Sequence, residues 1–414
     1  MADDNKNILV VGGGIAGISA ALEAAEFGKN IILIERNPYL GGRVAQLHRY
    51  FPKLCPPNCG LEINYKRLKN NPRVIIRTQA EVTSVSGKEG NFEVKVKLQP
   101  RYVNDKCTCC GKCAEACDLE VDNPFNYNMS KMKAAFLPHP NAFPPKYVLH
   151  PDVAASDQAK KVQDSCEYCA IDLNEKEHEE KFKVGAIVWA TGWEPFDPTK
   201  VEYYGFGKNK NVITNVMMER LASPDGPTGG KILRPSDGQP PKSVVFVQCA
   251  GSRDEKHLAY CSGVCCLASM KQATYVREQY PDSKATICFI DIRTPDRLED
   301  FYTKVQQDEG ISFIKSKIAD ISEDENTGEL TLNGEDTIEG KRFSTKADLV
   351  VLATGIVPCK PIVDLKTDDY GFLVAEQLPG HHPAGCVMEP TEVSSTVQDG
   401  TAAALKAIQS IGAR

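Results

Sequence analysis

The sequence of 414 residues predicts an α/β fold built from two parallel-sheet domains, with a cysteine-rich segment inserted between parts of the first. Three observations lead to this prediction. A strand, a glycine turn, a helix and a second strand follow one another over residues 8–36, and residues 244–248 form a strand where a second dinucleotide fold should start. Residues 101–178 are rich in Cys, Pro, Asn and Lys and interrupt this organisation.

Composition and charge narrow the classes of protein to consider. Hydrophobic residues make up 42% of the chain and charged residues 25%, which are ordinary globular values and exclude wholesale disorder. The formal net charge of -6 argues against a nucleic-acid partner. The longest apolar runs fall far short of the roughly 18 residues of a membrane span, and residues 1–7 do not resemble a signal peptide. We therefore expect a cytoplasmic chain without a membrane span, whose clustered cysteines do metal or redox work.

The first domain begins with a dinucleotide fingerprint. Gly12 permits a tight turn after the strand, Gly14 lets a pyrophosphate approach the backbone, and Gly17 allows close packing of helix against strand. The helix N-terminus supplies amide groups and a positive dipole to the phosphates. Glu35 ends the second strand 23 residues after Gly12, where an acid accepts hydrogen bonds from an adenosine ribose. Together these features predict a bound dinucleotide.

Later segments favour FAD over NAD as that dinucleotide. The tripeptide Gly41-Gly42-Arg43 resembles the Gly-Gly-Arg signature of flavoproteins with two dinucleotide domains. Two apolar strands end in Ala-Thr-Gly, at residues 190–192 and 353–355, and resemble the points where such chains pass between domains. The residues predicted to bind FAD in these segments are Gly12, Gly14, Ile15, Ala16, Gly17, Glu35, Arg36, Gly42, Arg43, Ala190, Thr191, Gly192 and Gly355.

The second domain begins with a strand at residues 244–248 but lacks the glycine turn. In its place are Cys249, Cys261, Cys265 and Cys266, with the spacing C-x11-C-x3-C-C. Without the glycines the backbone cannot close on a pyrophosphate, which argues against NAD(P)H binding. Four thiolates that converge at a strand end hold a [4Fe-4S] cluster in one interpretation. In the other they are small buried core residues.

The insertion contains a second group of cysteines. Residues 107–117 have the bacterial ferredoxin spacing C-x2-C-x2-C-x3-C, although Asp118 replaces the usual proline. This compact run favours iron-sulfur over zinc, which takes two separated C-x2-C pairs. A second run is reduced to Cys166 and Cys169, two thiolates that cannot fill a second cluster alone, although a contribution from Cys117 and Cys109 is an alternative. The simplest interpretation is one cluster held by Cys107, Cys110, Cys113 and Cys169, with Cys117 as the alternative fourth ligand.

Two further cysteines, Cys55 and Cys59, follow the first domain's glycine segment. Their spacing differs from that of the redox disulfide in glutathione-reductase-like enzymes. A redox dithiol and a structural role therefore both remain open for this pair.

These motifs resemble the A-subunit family of heterodisulfide reductases, and within it most closely the A subunits of quinone-interacting membrane-bound oxidoreductase complexes from sulfate reducers. The resemblance covers nearly the whole chain, and its most specific motifs are residues 248–254 and 260–266. It implies two dinucleotide-binding-like domains of the glutathione/thioredoxin reductase type with a ferredoxin-like insertion, one FAD and two [4Fe-4S] clusters. The second cluster would be held by Cys249, Cys261, Cys265 and Cys266.

The resemblance also assigns roles to residues outside the motifs. Lys271 matches a lysine expected to reach the flavin, where a cation stabilises the reduced ring, and it is the predicted catalytic residue. The carboxy-terminal segment is expected to close over the isoalloxazine through Gly385, Cys386, Val397 and Gln398. The predicted order is 1–100, first part of the FAD-binding domain; 101–178, ferredoxin-like insertion; 179–235, FAD-binding domain and crossover; 236–350, second Rossmann-like domain; 351–414, last part of the FAD-binding domain.

The function implied by this resemblance is electron transfer between menaquinol and adenylylsulfate reductase in dissimilatory sulfate reduction, with flavin-based confurcation as a hypothesis. The implied partners are adenylylsulfate reductase and two further subunits of the complex, one with flavin and iron-sulfur groups and one in the membrane with haem and iron-sulfur groups. The implied location is the cytoplasm, peripheral to the inner membrane. The alternatives are a stand-alone NAD(P)H-dependent flavin reductase of disulfides or small molecules, and an assembly subunit with a vestigial flavin.

Overall fold

The computed structural model describes residues 6–51, 53–324 and 327–412, which form two units. Unit 1 consists of Met1–Trp193 and Pro358–Arg414, and unit 2 consists of Glu194–Val357. The chain therefore leaves unit 1 once and returns to it once. Residues 1–5, on which part of the signal-peptide expectation rests, lie outside the described residues.

The helices and strands of the described residues have the following bounds. The α-helices are α1 (Ile15–Glu26), α2 (Asn58–Asn70), α3 (Lys112–Ala116), α4 (Pro151–Ala154), α5 (Ala159–Asp164), α6 (Asn215–Ala222), α7 (Cys265–Gln279), α8 (Glu299–Gln306) and α9 (Val393–Gly412). The β-strands are β1 (Ile8–Val11), β2 (Ile31–Glu35), β3 (Val74–Thr78), β4 (Ala80–Lys88), β5 (Asn91–Leu98), β6 (Glu120–Asp122), β7 (Lys131–Lys133), β8 (Ala135–Phe136), β9 (Val148–Leu149), β10 (His178–Val184), β11 (Ala186–Trp189), β12 (Trp193–Pro195), β13 (Val212–Thr214), β14 (Ser243–Ala250), β15 (Lys284–Phe289), β16 (Ile311–Glu323), β17 (Leu330–Asp336), β18 (Lys341–Ala347), β19 (Leu349–Thr354), β20 (Ile356–Pro358) and β21 (His381–Pro383).

Unit 1 is built on a five-stranded parallel sheet in the order β21-β11-β1-β2-β3. The continuous apolar runs of β1, β2 and β11 are buried, as expected for parallel strands that are covered on both faces. The alanine-rich α1 and the carboxy-terminal α9 pack together in one core cluster with this sheet. On the other face lies the antiparallel sheet β10-β5-β4, whose strand β5 alternates between buried and exposed side chains.

The insertion forms a small subdomain within unit 1. Its short hairpins, β6 with β7 and β8 with β9, and its helices α3 to α5 surround a separate core that includes Cys113 and Cys117. The buried Arg101 fixes its base, because the guanidinium donates to the carbonyl oxygens of Tyr147 (3.0 Å), Lys146 (2.8 Å) and Pro38 (2.9 Å). Burial lowers the pKa of Arg101 to about 10.

Unit 2 is built on a seven-stranded sheet in the order β13-β19-β14-β15-β16-β17-β18. The strands from β13 to β16 are parallel, and β16, β17 and β18 form an antiparallel meander. Helices α6 and α7 pack against each other and against the parallel part. The predicted α/β class, with two parallel-sheet domains, is therefore confirmed. None of the helices in the described residues combines the length and the apolar character that a bilayer crossing requires.

Candidate functional site

The glycine turn between β1 and α1 is shaped by close backbone packing. Gly12 has a φ of +107°, and a Cβ atom there would lie 2.1 Å from the carbonyl oxygen of Ala190. A Cβ at Gly17 would lie 1.8 Å from the carbonyl oxygen of Gly12. Both positions therefore admit only glycine. Helix α1 begins immediately after the turn, and Gly14 at its N-cap makes no side-chain capping bond, so the first amides of the helix face the turn.

Gly14 differs from the other two glycines, because the packing of the protein does not require it. A Cβ at Gly14 would meet only the Cα of Gly42, at an ordinary contact distance of 3.9 Å. A glycine that the internal packing does not demand fits the close approach of a ligand to the backbone. The turn therefore suits the pyrophosphate of a dinucleotide, with amide groups on the open side and tight packing on the other.

Glu35 is held at the end of β2 by three hydrogen bonds. Its Oε2 accepts from the backbone amide of Gly13 at 2.7 Å, and its Oε1 accepts from the amide and the side chain of Asn37 at 2.7 and 2.8 Å. Burial raises the pKa of Glu35, and these donors together with Arg36 act in the opposite direction. Each carboxylate oxygen carries more than one lone pair, so the fixed carboxylate still has acceptor capacity for a ribose hydroxyl.

Arg43 joins three segments of unit 1. Its Nε donates to the carbonyl oxygen of Trp193 at 3.3 Å, and its guanidinium lies over the rings of Trp193 and Tyr127 at 5.7 and 5.8 Å. Tyr127 belongs to the insertion, and Trp193 is the last residue before the chain leaves unit 1. The preceding Gly42 approaches the glycine turn, since a Cβ there would lie 2.9 Å from the Cα of Gly14. The predicted Gly-Gly-Arg segment therefore lies beside the glycine turn.

The segment after β11 reveals a residue that we did not select from the sequence. Thr191 Oγ1 donates to the carbonyl oxygen of Cys359 at 2.5 Å, and the amide of Cys359 donates to the carbonyl oxygen of Gly192 at 3.0 Å. Burial raises the pKa of the Cys359 thiol, while the nearby charges of Arg36 and Arg43 lower it. Only the fold brings Cys359 to these predicted FAD-binding residues, because it lies more than 160 positions from Thr191 and in no recognisable motif.

The carboxy-terminal residues predicted to contact the flavin lie around the start of α9. Gly385 approaches α1, since a Cβ there would lie 2.9 Å from the Cβ of Ala16. Cys386 is buried, and its Sγ donates to the carbonyl oxygen of Thr391 at 3.5 Å. Val397 and Gln398 are exposed on the first turns of α9. The structure therefore brings predicted residues from the two ends of the chain, Ala16 and Gly385, into contact.

The four cysteines of unit 2 surround the carboxyl edge of its parallel sheet. Cys249 lies near the end of β14, and Cys265 and Cys266 begin α7. Cys265 Sγ donates to the carbonyl oxygen of Thr354 at 3.6 Å, and Cys266 Sγ donates to that of Asp291 at 3.5 Å. Cys261 lies in the loop between them, where its Sγ accepts from the amide of Gly263 at 3.4 Å.

These four thiols lie within electrostatic range of one another. The pKa of Cys265 is raised well above its usual value, first by burial and then by negative charge on the other three cysteines. The pKa of Cys249 is raised to about 11 by burial and then by Cys266. Thiols that are buried together and oppose one another's ionisation fit a site whose cationic iron stabilises all four thiolates at once.

The insertion gathers a second set of thiols. The pKa of Cys113 is raised to about 12 by burial, then by Cys107 and, more weakly, by Cys110. Cys109, whose Sγ donates to the carbonyl oxygen of Pro145 at 2.8 Å, also lies beside Cys107 and Cys110, and its pKa is raised to about 11, mainly by burial. Three of the predicted ligands are thus brought together, and Cys109 is found with them.

The candidates for the fourth ligand of the insertion occupy different surroundings. Cys117 is fully buried, and its Sγ donates to the carbonyl oxygen of Leu119 at 3.8 Å. Cys169 is exposed in a turn closed by its own amide and the carbonyl oxygen of Cys166. The neighbouring Glu167 forms an ion pair with Lys112 of α3, so this turn lies beside the helix that carries Cys113. The choice between Cys169 and Cys117 remains a prediction.

Both groups of thiols consist of cysteine alone. Among the residues that the structure describes, no three His, Cys, Asp or Glu side chains are gathered as ligands of one metal ion. A [4Fe-4S] cluster makes a different demand, because each of its four thiolates binds a different iron atom. The donor atoms in both groups are cysteine sulfurs, the ligands that iron-sulfur clusters take.

Lys271 and Gly355 lie inside unit 2. Lys271 Nζ of α7 is 3.1 Å from Glu219 Oε1 of α6, and both side chains are almost completely buried. A Cβ at Gly355 would lie 2.2 Å from Ser252 Oγ and 2.7 Å from Ser262 Oγ, so this glycine lies against the cysteine loop. The roles of Lys271 and Gly355 toward the flavin remain predictions.

Cys55 and Cys59 lie close to Tyr50. Cys55 forms a β-bridge with Tyr50, and Cys59 is exposed in the first turn of α2. The pKa of Tyr50 is raised by burial and then by negative charge on the two cysteines, so both thiols lie near the Tyr50 hydroxyl. Either role considered for this pair is compatible with these positions.

Comparison with known proteins identifies the class of protein. Residues 7–54 match the family model described as FAD dependent oxidoreductase. The fold is shared with thioredoxin reductases of T. acidophilum (15% identity, 97% of both chains, TM-score 0.54) and Lactococcus lactis (14% identity, 99% of this chain and 100% of that one, TM-score 0.56). The family model, together with the relatives described next, supports a flavin oxidoreductase subunit, as predicted.

Closer relatives refine this class. The sequence is 37% identical to the A subunit of the ferredoxin/F(420)H(2)-dependent CoB-CoM heterodisulfide reductase of Methanosarcina acetivorans, over 99% of this chain and 53% of that protein. It is 38% identical to the second of two iron-sulfur A subunits of the CoB-CoM heterodisulfide reductase of Methanopyrus kandleri, over 99% of this chain and 65% of that protein. The chain belongs to the family of heterodisulfide reductase A subunits, as predicted, and it spans between half and two thirds of the length of these relatives.

Proposed function

We propose that this chain is the FAD and iron-sulfur electron-transfer subunit of a multi-subunit oxidoreductase. In this proposal unit 1 binds one FAD, and the two cysteine groups each hold a [4Fe-4S] cluster. The observation that carries the proposal is the group of four mutually interacting thiols in unit 2, at the edge of the sheet where dinucleotide-binding folds bind their ligand. Relatives of this chain are named iron-sulfur subunits of heterodisulfide reductases, which supports the same assignment.

Each part of the chain has a defined task in this proposal. The glycine turn and the first amides of α1 bind the pyrophosphate of FAD, and Glu35 holds its ribose. The four cysteine ligands proposed in unit 2 are buried or half-buried, whereas in the insertion Cys110 and Cys169 are exposed. Bound FAD supplies chemistry that accepts or donates either one or two electrons, whereas a cluster passes single electrons. The chain thus joins a partner that delivers electron pairs to carriers of single electrons.

The unit 2 loop argues against the alternative of a stand-alone NAD(P)H-dependent reductase. A pyrophosphate needs a short glycine turn between strand and helix. In unit 2, residues 251–264 separate β14 from α7, and the cysteines occupy this connection. Rapid bleaching of the flavin by NADPH would contradict this argument and support the alternative.

The finer part of the proposal rests on the sequence motifs that resemble sulfate-reducer complexes. Electrons would pass between menaquinol and adenylylsulfate reductase. The partners within the complex would be two further subunits, one with flavin and iron-sulfur groups and one in the membrane with haem and iron-sulfur groups. The chain would be cytoplasmic and peripheral to the inner membrane. Confurcation at the FAD predicts two widely separated one-electron flavin potentials, and potentials that lie close together in a redox titration would contradict it.

The first experiment is to measure iron, acid-labile sulfide and FAD per chain in anaerobically purified protein. Two [4Fe-4S] clusters correspond to about eight iron atoms, and we expect them together with about one FAD. Cys261→Ala and Cys110→Ala should each remove about four iron atoms, because each breaks one cluster. Cys288→Ala is the matched control, since Cys288 is a buried cysteine of β15 outside both groups. Retained FAD without iron would overturn the proposal.

A further inference from the structure

We propose that Arg253 sets the reduction potential of the unit 2 cluster by holding a positive charge beside its cysteine ligands. The inference rests on the proposed function, because it takes a cluster at Cys249, Cys261, Cys265 and Cys266 as its starting point. Arg253 belongs to the motif of residues 248–254, and the proposed function gives it no task of its own.

The backbone holds Arg253 between two of the proposed ligands. The residue follows Cys249 by four positions, in the loop that leads to Cys261. Its amide donates to the carbonyl oxygen of Tyr260 at 3.1 Å, and the amide of Asp254 donates to that of Leu258 at 3.0 Å. These bonds close the loop on itself, so Arg253 is placed next to the position just before Cys261.

The side chain of Arg253 is anchored beside a third ligand. Its guanidinium forms an ion pair with Asp291, with 2.8 Å between Nη2 and Oδ2. The backbone carbonyl oxygen of the same aspartate accepts from Cys266 Sγ at 3.5 Å. Asp291 therefore contacts the cysteine group through its backbone and orients the arginine through its carboxylate. The arginine side chain is 26% exposed, so solvent screens its charge only in part.

The charge of Arg253 reaches three of the four thiols. Burial raises the pKa of Cys249, and the guanidinium opposes this effect through its charge and through a hydrogen bond. Burial also raises the pKa of Cys266, and a backbone hydrogen bond from Arg293, the charge of Arg293 and then the charge of Arg253 act in the opposite direction. Burial lowers the pKa of Arg253 itself, but Asp291, Cys249 and Cys261 outweigh that effect. The arginine therefore stays positive next to the sulfurs.

The loop carries backbone strain at the two residues that matter most. Cys249 and Arg253 both have a φ of +56°, in the left-handed region that side chains other than glycine rarely adopt. Such conformations persist where the surroundings fix them, and they concentrate at functional sites. Both residues line a cavity with Ser252, whose buried Oγ has no hydrogen-bond partner among the described residues.

A cation in this position favours the reduced cluster. Four cysteinates give the cluster a net negative charge, and reduction adds one more negative charge. Net charge and hydrogen bonds to the sulfurs are among the factors that set the potential of iron-sulfur clusters. Since arginine does not lose its proton in proteins, its contribution should not depend on pH near neutrality.

The test is a redox titration of the anaerobically purified full chain, followed by electron paramagnetic resonance, with the unit 2 signal identified by its loss in Cys261→Ala. Arg253→Gln should shift the midpoint potential of that signal downward by at least about 59 mV, a tenfold change in the ratio of oxidised to reduced cluster for one electron. Arg253→Lys, which keeps the charge, should shift it less. The control is Arg234→Gln, since Arg234 pairs with Asp237 and Asp348 in the same unit.

A second variant keeps the inference testable if Arg253→Gln does not load iron. In Arg253→His the imidazole loses its charge as pH rises, whereas arginine does not, so the potential should fall with rising pH more steeply than in the wild type. Full iron with an unchanged potential in Arg253→Gln, or equal slopes for Arg253→His and the wild type, would overturn the inference alone. Iron that Cys261→Ala does not reduce would overturn the proposed function and this inference with it.

Discussion

The two parallel sheets of this protein begin in the same way and diverge at a single connection. In unit 1, three glycines separate β1 from α1, whereas in unit 2 residues 251–264 separate β14 from α7. Both connections lie at the carboxyl edge of a parallel sheet, where this architecture binds ligands. The short turn offers backbone amides, and the long loop offers sulfur atoms. In the proposed function, one position in the fold thus serves two ligand chemistries, and the length and composition of the connection select between them.

The electrostatics of the two connections differ accordingly. The unit 1 turn combines the positive end of α1 with the fixed carboxylate of Glu35, which suits a ligand with phosphates at one end and a ribose at the other. The unit 2 loop buries thiols that oppose one another's ionisation and places Arg253 beside them. Such a site suits a compact group that needs several negative ligands at once.

The largest expected effect comes from breaking the unit 1 connection. Gly17→Ala would place a Cβ 1.8 Å from the carbonyl oxygen of Gly12. Because this clash strains the backbone severely, we expect the unfolding free energy to fall by more than about 4 kcal/mol. We also expect the purified chains to contain no FAD. The measurements are FAD per chain and urea unfolding. Gly412→Ala is the control, because no atom lies within 4 Å of that position; normal FAD content in Gly17→Ala would refute the expectation.

The next effect concerns the stability of unit 2, through the buried ion pair of α7, the helix that begins with Cys265 and Cys266. Lys271→Met would leave the buried carboxylate of Glu219 without its cation at 3.1 Å. Breaking a buried ion pair on one side costs about 3–5 kcal/mol. Urea unfolding should show this loss, and the double variant Lys271→Met with Glu219→Leu should recover part of it. A loss below about 1 kcal/mol would show that Glu219 finds other compensation.

A smaller effect should follow from Glu35→Gln, which tests the part of the unit 1 site proposed to bind the ribose of FAD. The substitution removes the charge that accepts from Gly13 and Asn37. Hydrogen bonds to a charged group contribute about 1.5–3 kcal/mol, so FAD affinity should fall by about 10- to 150-fold. Equilibrium titration of the FAD-free protein with FAD measures the change. Glu23→Gln, at a half-exposed glutamate of α1, should bind FAD like the wild type.

The smallest expected effect is the contribution of His382, in β21, to the stability of unit 1 as the pH falls. Burial lowers the pKa of His382 to about 4. The unfolded chain therefore binds a proton more readily than the folded one, so the contribution of neutral His382 is fully present above about pH 6.5 and is lost as pH falls toward 4. In His382→Gln the decrease in unfolding free energy from pH 7 to pH 5 should be smaller than in the wild type by about 1–3 kcal/mol. Urea unfolding at the two pH values checks this, with the exposed His178→Gln as control.

Local sequence patterns were sufficient to predict the strands and helices that carry the candidate site. The strand, turn, helix and strand of residues 8–36 lie where they were predicted, because each depends on neighbours within a few positions. The same holds for the apolar strands before the two Ala-Thr-Gly segments. The heterodisulfide reductase family was also predicted from motifs, since specific cysteine and glycine spacings survive in the linear sequence.

Contacts between distant segments could not be predicted in this way. The stacking of Arg43 on Tyr127 and the hydrogen bonds between Cys359 and residues 191–192 each join segments that lie far apart in the sequence. The ion pair between Lys271 and Glu219 is another example, since the sequence identified the lysine but carried no signal for its partner.

By itself the sequence determined the two parallel-sheet domains, the dinucleotide turn and the residue types of both cysteine groups, because strand pattern, glycine position and cysteine spacing are local properties of the chain. Only the tertiary structure decided which thiols share one electrostatic environment and which charges stand beside them. The physical reason is that burial and Coulomb interaction depend on distance in space. Arg253 illustrates the point, because it pairs with Asp291, a residue far from it in the sequence, and Asp291 in turn contacts Cys266.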